Sequence, residues 1–187
     1  MKILMISGKS GSGKDQFALF LKEQLETQYI KVCIIHFGDL VKWFLTNQYG
    51  WNGKKDEDGR DLLQHFGTDV MRKKFPTYWA DVVSQFLSAA ESDFDFALIP
   101  DWRFKNEEQS VRKYNKNVDT IRINRFDENG NLYINPALSE EQAAHSSETE
   151  LDDHWFDWMV TNNGTIEDLR QAAKEVSEYL MEEFIYE

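Results

Sequence analysis

An α/β domain built around a mainly parallel sheet is the fold class that the sequence predicts, and three observations predict it. Five apolar or alternating segments with the character of strands are separated by segments whose apolar residues recur at helical spacing. A glycine-rich stretch joins the first strand directly to the first helix. The chain has 187 residues, of which 41% are hydrophobic, and this suits one domain with a sizeable core. Strands that alternate with helices favour parallel pairing.

The elements of the first third follow one another in that alternating order. Residues 2–7 form a short apolar run that ends at a glycine and predicts a buried strand. Helical spacing over residues 15–28 predicts the first helix. Residues 32–37, which are rich in β-branched side chains, predict a second strand, and residues 40–49 predict a helix. Residues 51–59 are polar and contain two glycines, so they predict a loop.

The middle of the chain continues with two helices and two strands. Residues 61–75 have helical spacing, and residues 78–90 carry a clear apolar stripe that predicts a helix with one buried face. Residues 94–100 predict the third strand, residues 106–114 a polar helix, and residues 118–124 the fourth strand because they alternate. The order again implies a parallel sheet with helical crossovers.

The last third begins with the least regular segment of the chain, residues 125–150. Asn129-Gly130 predicts a turn within this segment, and Pro136 breaks any regular element. Residues 156–160 predict a short fifth strand. Thr165 stands at the N-cap position of a final helix with helical spacing to the end of the chain.

Composition limits the partners of the protein. The formal net charge of −12 argues against general binding of DNA, RNA or anionic membrane. No apolar stretch reaches the length of a membrane span, and the N-terminus lacks the features of a signal peptide. Cys33 is the single cysteine, so an internal disulfide is ruled out, and a buried thiol in a reducing cytoplasm is expected. The four histidines show no metal-ligand spacing, and no catalytic triad stands out.

The glycine-rich stretch between the first strand and the first helix has the spacing of a P-loop, Gly-x-x-x-x-Gly-Lys. Its glycines let backbone N–H groups turn towards phosphate oxygens, and the helix N-terminus adds a positive dipole end. The lysine reaches the β- and γ-phosphates. The residues expected to hold a nucleoside triphosphate are Gly8, Lys9, Ser10, Gly11, Ser12, Gly13, Lys14, Asp15 and Gln16. The alternative is a plain strand-turn-helix junction, and the loop alone does not separate kinases from ATPases or GTPases.

Two acids follow the first and third strands and are candidate magnesium ligands. Asp15 stands where a serine or threonine normally binds Mg²⁺, and a carboxylate is also a hard oxygen ligand. Its alternative role is that of an acid stabilised by the helix dipole. Asp101 ends the third strand, where it either orients Mg²⁺ or closes a turn. Arg103 follows at the ligand-binding edge of the sheet, and Glu107 is a candidate partner for it. The predicted catalytic set is therefore Lys14, Asp15, Asp101 and Arg103.

Further arginines and one tryptophan are candidates for the second substrate and for a lid. Arg60 and Arg72 can hold a phosphate bidentately, with surface charge as the alternative. Trp79 can stack on a nucleobase, although its place in an apolar stripe favours core packing. Arg122 and Arg125 flank the end of the fourth strand, where a lid would bring arginine onto the transferring phosphates and exclude water.

Four segments taken together resemble the bacteriophage deoxynucleoside monophosphate kinases, a branch of the P-loop nucleoside monophosphate kinases. In chain order the segments are GKSGSGKD, GRDLLQHFGTDVMR, IPDWRFKNE and HSSETELDDHWFDWMVTNNGTIEDL. The resemblance covers most of the chain, and residues 125–144 match least. An aspartate directly after the P-loop lysine is a feature of this branch.

The resemblance implies a five-stranded parallel sheet, an acceptor-binding helical region at about residues 38–92 and a lid-like segment at about residues 125–150. It implies transfer of the γ-phosphoryl group of ATP, with Mg²⁺, to a deoxynucleoside 5′-monophosphate. Asp101 and Arg103 would lie between the two nucleotides, and Asn163 and Gly164 near the adenine of ATP. The acceptor site implied by the resemblance comprises Asp39, Lys42, Arg60, Gln64, Thr68, Asp69 and Arg72. A homodimer and a cytoplasmic location, in the host if the protein is viral, are further expectations.

Two other functions are compatible with the sequence. Animal phosphomevalonate kinases share the Gly-Lys-Asp ending of the loop, so a kinase of another small phosphate is one alternative. A P-loop module that binds nucleotide without phosphorylating anything is the other. A wide acceptor pocket with an aromatic floor favours the deoxynucleoside monophosphate kinase, whereas a narrow and wholly basic pocket favours a kinase of another small phosphate. The absence of an arginine at the γ-phosphate position favours the non-catalytic module.

Overall fold

A computed structural model of the chain describes residues 1–186, with side chains through residue 184, and it contains a five-stranded parallel sheet. The order across the sheet is β2-β3-β1-β4-β5, and every neighbouring pair is parallel. This confirms the predicted fold class. The strands are β1 (Lys2–Ser7), β2 (Val32–Ile34), β3 (Phe96–Ile99), β4 (Val118–Asn124) and β5 (Trp158–Thr161).

Helices connect the strands and cover both faces of the sheet. They are α1 (Lys14–Glu26), α2 (Asp39–Gln48), α3 (Glu57–Gln64), a π-helix (His65–Arg72), α4 (Tyr78–Ala89), α5 (Lys105–Tyr114), α6 (Glu140–Ala144), α7 (Ser146–Thr149) and α8 (Ile166–Tyr186). Thr165 caps α8 as predicted: its Oγ1 accepts the N–H of Asp168, whose carboxylate accepts the N–H of Thr165 at 2.7 Å. Among the helices of residues 1–186, none combines the length and apolar character needed to cross a bilayer.

The central strand β1 is buried on both faces because it lies between β3 and β4 under two layers of helices. Leu4 and Ile6 face a core shared with α1 and α8, while Ile3 and Met5 face a core shared with α2 and α4. An apolar run without alternation is therefore the correct pattern for this strand. Its carboxyl end is held at the centre of the sheet, where the glycine-rich loop begins.

The second strand is shorter than predicted. We expected it to span residues 32–37, but it ends at Ile34. The backbone N–H groups of Phe37 and Gly38 do not join the ladder; both donate to the carboxylate of Asp101, at 2.9 Å each. A side chain from the neighbouring strand end thus replaces the strand pairing that the apolar pattern alone predicts.

The prediction of a loop over residues 51–59 was wrong at its end. Helix α3 begins at Glu57, because Asp56 caps it by accepting the N–H of Gly59 at 3.0 Å. The helix expected over residues 61–75 then continues as a π-helix over His65–Arg72. Such wide turns are rare and occur often at functional sites.

Residues 125–150 contain more structure than the sequence predicted. Phe126 and Leu132 form an antiparallel bridge around the turn that Asn129-Gly130 predicted, and the N–H of Gly130 donates to Asp127 at 3.1 Å. The short helices α6 and α7 follow. The segment therefore begins as a small hairpin that leaves the end of β4 and ends as two helical turns.

Candidate active site

The glycine-rich loop runs from the end of β1 to the start of α1, as the sequence predicted. Gly11 and Gly13 have φ angles of +78° and +92°, which side chains rarely adopt. A Cβ atom on Gly13 would lie 2.4 Å from Nδ2 of Asn162, which itself donates to the carbonyl of Ser12 at 2.9 Å. The loop is therefore held by a side chain from the end of β5, and the sequence reasoning did not identify Asn162.

Lys14 is almost fully buried, with 6% of its surface exposed. Its Nζ lies 3.5 Å from the carbonyl of Lys9. Burial, followed by the nearby charge of Arg103, lowers the pKa of the Lys14 ammonium from 10.5 to about 8. An anion placed beside this ammonium would relieve both effects, so the position favours a phosphate.

A cavity of about 240 Å³ is bordered by Lys14 and by residues of α2, α3 and the π-helix. Its wall contains the cationic side chains Lys42, Lys55, Arg72 and Arg103. Its apolar lining includes Val41, Leu63, Trp79 and Phe104. Gln64, Gly67 and Thr68 of α3 and the π-helix also line it. The cavity thus combines positive charge with an aromatic surface.

Trp79 has the core position that its apolar stripe favoured and also borders the cavity, whereas stacking on a nucleobase stays a prediction. It is 7% exposed and belongs to the core beneath α4, and its indole N–H donates to the carbonyl of Gly67 at 3.2 Å. It also lines the cavity. The indole is therefore held in place by the core and by this hydrogen bond while it forms part of the cavity wall.

Arg72 and Glu107 form the most buried ion pair of the cavity wall. The Arg72 guanidinium donates to the Glu107 carboxylate and lies 4.0 Å above the ring of Phe104. The second carboxylate oxygen of Glu107 accepts the backbone N–H groups of Arg103 and Phe104, at 2.8 and 3.0 Å. The sequence suggested the Arg103 side chain as a partner of Glu107, and this was wrong, because Arg103 contacts Glu107 only through its backbone N–H.

The Arg103 side chain instead reaches across to α7. Its guanidinium donates to the carbonyl of Ser147 at 3.0 Å and to the carboxylate of Glu148 at 2.5 Å. The other oxygen of Glu148 accepts the backbone N–H of Ser10 at 2.8 Å. Glu148 thus joins the P-loop to Arg103, a role that sequence reasoning missed. The only sequence signal for this role was that Glu148 lies in the last of the four segments that carry the family resemblance.

Asp15 lies at the edge of the cavity, where His36 stands between two acids. His36 Nε2 is 3.6 Å from the carboxylate of Asp15, and its Nδ1 is 3.3 Å from that of Asp39. Burial raises the pKa of Asp15, but the hydrogen bond from His36 and the charge of Lys14 outweigh it and lower the pKa to about 2. Asp15 is therefore ionised at any pH at which the protein would work.

The carboxylate of Asp101 lines the cavity and also fastens the loop after β2. Both of its oxygens are hydrogen-bonded to the backbone N–H groups described above. This is the turn-closing role that the sequence left as an alternative. A metal-binding role for Asp101 stays a prediction.

The oxygen atoms beside Lys14 suit magnesium. Mg²⁺ in phosphate-transferring sites takes one or two carboxylates together with phosphate oxygens and water. Asp15 supplies an ionised carboxylate next to the P-loop lysine, so its chemistry fits this requirement. In residues 1–186, no group of three or more His, Cys, Asp and Glu side chains is arranged to enclose a metal ion.

Three residues of the predicted acceptor set lie outside the cavity lining. Arg60 donates to the carbonyl of Ala137 in the 125–150 segment. Asp69 lies 3.9 Å from Nε2 of His145. Asp39 pairs with Lys42 at 2.9 Å rather than facing the cavity. Their roles in binding the acceptor stay predictions, whereas Lys42, Gln64, Thr68, Arg72 and Trp79 do line the cavity.

The predicted donor-side arginines have separate surroundings. Arg122 is 6% exposed and donates to Ser7 Oγ and to Asp152, at 3.1 Å each. It therefore contacts the last residue of β1, directly before the P-loop. Arg125 donates to the carbonyl of Gly11 at 3.3 Å and lies 4.4 Å from the ring centre of Tyr133. Arg125 is therefore the predicted lid arginine that touches the P-loop from outside.

The remaining predicted donor-side residues lie close to this arrangement. The side-chain oxygen of Asn163 accepts the backbone N–H of Phe126 at 2.8 Å, and Gly164 precedes Thr165, the residue that caps α8. Gln16 lies in the first turn of α1. Their contacts with ATP stay predictions.

A sequence model of the deoxynucleotide monophosphate kinases matches residues 47–173, which is more than half of the chain. The chain belongs to the deoxynucleotide monophosphate kinase family. The matched part contains the cavity-lining Arg72, Trp79 and Arg103 as well as Glu107 and Glu148. The family and the fold together identify a P-loop phosphotransferase of the nucleotide kinase type.

Solved structures of P-loop kinases share the fold of this family member. The APS kinase CysC of Mycobacterium tuberculosis in complex with AMPPNP and APS is 12% identical, with a TM-score of 0.53 over 95% of this chain and 97% of that chain. An unliganded sugar kinase from a Janibacter species is 13% identical, with a TM-score of 0.52 over 92% of each chain. At these identities the likeness shows the fold alone. No curated protein matches the chain.

Proposed function

We propose that the protein transfers the γ-phosphoryl group of ATP to a deoxynucleoside 5′-monophosphate, which gives ADP and the deoxynucleoside diphosphate. The observation that carries the proposal is the position of Lys14 and Arg103. Both line one cavity, at its boundary with the P-loop, and the rest of that cavity has basic and aromatic walls. Family membership supports the same reaction.

On the donor side, the P-loop would hold the phosphates of ATP. The N-terminus of α1 and the turned backbone of Gly11 and Gly13 supply N–H groups and a positive dipole end. The buried ammonium of Lys14, which has a long hydrogen bond of 3.5 Å to the Lys9 carbonyl, would bind the β- and γ-phosphates. Arg125 and Asn163 would enclose the rest of the nucleotide, because both lie where the 125–150 segment meets the P-loop and α8.

On the acceptor side, Arg72 and Lys42 would bind the monophosphate. Trp79 and Phe104 offer aromatic surface to the base or sugar, and Gln64 and Thr68 offer polar groups. An acceptor phosphate oxygen attacks the γ-phosphorus as the bond from phosphorus to the β–γ bridging oxygen breaks, and ADP leaves with that electron pair. No covalent intermediate with the protein is needed, because positioning and charge stabilisation suffice.

Arg103 stands between the two halves and is the side chain best placed to stabilise charge on the transferring group. It lies near Lys14, since its charge lowers the pKa of that lysine. Magnesium held by Asp15, with Asp101 as a second candidate, would neutralise phosphate charge when bound with ATP. The 125–150 segment contacts both Ser10 and Arg60, through Asn135 at 3.0 Å and Ala137, and a closed lid there would exclude water.

The geometry favours this function over the two alternatives. The cavity is lined by Trp79 and Phe104 as well as by cations, which suits a nucleotide better than a small apolar phosphate ester. Arg103 beside the P-loop favours catalysis over simple nucleotide binding. A small-molecule substrate agrees with the net charge of −12. A homodimer stays a prediction.

The test is an assay of purified protein with ATP, Mg²⁺ and a panel of ribo- and deoxynucleoside monophosphates, with diphosphates separated by ion-exchange chromatography. We expect at least one deoxynucleotide to be converted. Lys14→Ala should abolish conversion. Lys22→Ala is the matched control, since Lys22 lies on the same helix but donates to the carbonyl of Val32 outside the site. If the wild-type protein binds ATP but converts none of the added monophosphates to its diphosphate, the proposal is refuted.

A further inference from the structure

Glu107 is a fully buried carboxylate in the wall of the cavity, with 0% of its surface exposed. One oxygen accepts the guanidinium of Arg72, and the other accepts the backbone N–H groups of Arg103 and Phe104 at 2.8 and 3.0 Å. A single side chain therefore contacts both of the arginines that face the two phosphates of the proposed reaction.

The buried carboxylate constrains Arg72 strongly. Removing a carboxylate from water is costly unless it is paired and hydrogen-bonded, and Glu107 meets this requirement only when Arg72 is in place. The Cζ atom of Arg72 also lies over the ring of Phe104, 4.0 Å from its centre. Since one of its nitrogens donates to the carboxylate, the guanidinium keeps its other N–H groups for a ligand.

Glu107 also has an ordinary structural contact. It lies in the first turn of α5, and accepting the N–H groups that precede the helix is a capping interaction. A purely structural role would lower stability and leave the ratio of the two substrate affinities unchanged. The pairing with Arg72 lies outside that capping role, because Arg72 comes from the π-helix rather than from α5.

We propose that Glu107 is a positioning residue that holds Arg72 in the orientation that binds the phosphate of the acceptor nucleotide. The inference rests on the proposed function, because it needs an acceptor whose phosphate meets Arg72. It deepens that function by assigning the orientation of the acceptor-binding arginine to a residue of the α5 helix.

The test is the Glu107→Gln variant, assayed for the KM of the acceptor and for the Kd of ATP. Glutamine keeps the shape and can still accept the backbone N–H groups, but its amide group would then face the Arg72 donors and release the guanidinium. We expect the KM of the acceptor to rise about tenfold or more, while the Kd of ATP stays within about twofold. Glu108→Gln is the matched control, since Glu108 pairs with Arg112 and His154 away from the cavity.

A double-mutant cycle separates positioning from a general loss of structure. If Glu107 acts through Arg72, then Arg72→Ala and the double variant Arg72→Ala/Glu107→Gln should have the same KM for the acceptor. Thermal unfolding of each variant shows whether it is folded. If Glu107→Gln does not fold, Glu107→Asp replaces it, because a shorter side chain cannot reach both Arg72 and the backbone.

Two outcomes would overturn the inference. An unchanged acceptor KM in the folded Glu107→Gln or Glu107→Asp variant would show that Arg72 does not depend on Glu107. If Glu107→Gln still raises the KM of the acceptor tenfold when Arg72 is already alanine, Glu107 does not act through Arg72. A wild-type protein that makes no diphosphate would instead refute the proposed function itself, and the inference with it.

Discussion

The buried ammonium of Lys14 makes a quantitative prediction about the pH dependence of ATP binding. Burial, with the added charge of Arg103, lowers its pKa from 10.5 to about 8 in the free protein. Only the protonated form attracts phosphate oxygens, and bound phosphates would in turn stabilise that form. The free protein therefore loses the binding-competent lysine as the pH rises through about 8.

The magnitude follows from a single titration. With a pKa of about 8, nine tenths of the lysine is protonated near pH 7 and one tenth near pH 9, so the Kd of MgATP should rise about tenfold over this interval. The stability of the ligand-free fold changes in the opposite direction to the affinity for MgATP. The unfolded chain, with its lysine pKa near 10.5, binds more protons above pH 8, so the Lys14 contribution makes the ligand-free fold more stable as the pH rises from about 8 towards 10.5.

Isothermal titration of MgATP, without an acceptor, at several pH values from about 7 to 9 would measure this effect. Lys14→Arg is the comparison, because a guanidinium stays protonated throughout and should give weaker but pH-independent binding. Thermal unfolding over the same range checks that lost affinity is not lost structure. A Kd that stays constant for the wild-type protein, or that changes equally in Lys14→Arg, would refute the assignment of the titrating group to Lys14.

Three further substitutions, one of them with a matched control, test the loop, the core and the end of β3. Gly13→Ala should lose ATP binding and lower the free energy of unfolding by about 1–2 kcal/mol. The reason is that residue 13 has a φ of +92° and that an added Cβ would collide with Asn162. Unchanged ATP binding would contradict this. Leu21→Ala, at a site with 0% exposure, should cost about 2–5 kcal/mol in urea unfolding, whereas Leu19→Ala at 49% exposure should cost about 0.5 kcal/mol or less. Asp101→Asn should cost about 1–3 kcal/mol of unfolding free energy, because the Phe37 and Gly38 N–H groups bind different carboxylate oxygens and the NH₂ group that replaces one oxygen cannot accept. Wild-type stability would show that those hydrogen bonds are dispensable.

The sequence predicted the features that depend on local pattern. The P-loop lies between β1 and α1 as expected, because glycines at fixed spacing and a fully apolar strand are both local signals. The Asn129-Gly130 turn and the Thr165 cap were also confirmed, and in both a side chain, that of Asp127 or Thr165, binds a backbone N–H a few residues away.

The features that sequence reasoning missed depend on contacts between distant parts of the chain. Glu148 binds Ser10, which lies 138 residues before it, and Arg72 pairs with a carboxylate 35 residues away. The early end of β2 has the same origin, since the Asp101 carboxylate comes from another strand. No spacing rule connects such residues, and only the parallel order of the strands brings them to one edge of the sheet.

The transfer of a phosphoryl group between two nucleotides is the central claim, and a label in the γ-phosphoryl group of ATP tests it most directly. The protein would be incubated with γ-labelled ATP, Mg²⁺ and each deoxynucleoside monophosphate, and the label would be followed by thin-layer chromatography. We predict that it appears in a deoxynucleoside diphosphate, that it depends on the monophosphate, and that Lys14→Ala abolishes it. Label that stays in ATP, or that is released only as inorganic phosphate with every monophosphate, would contradict the claim.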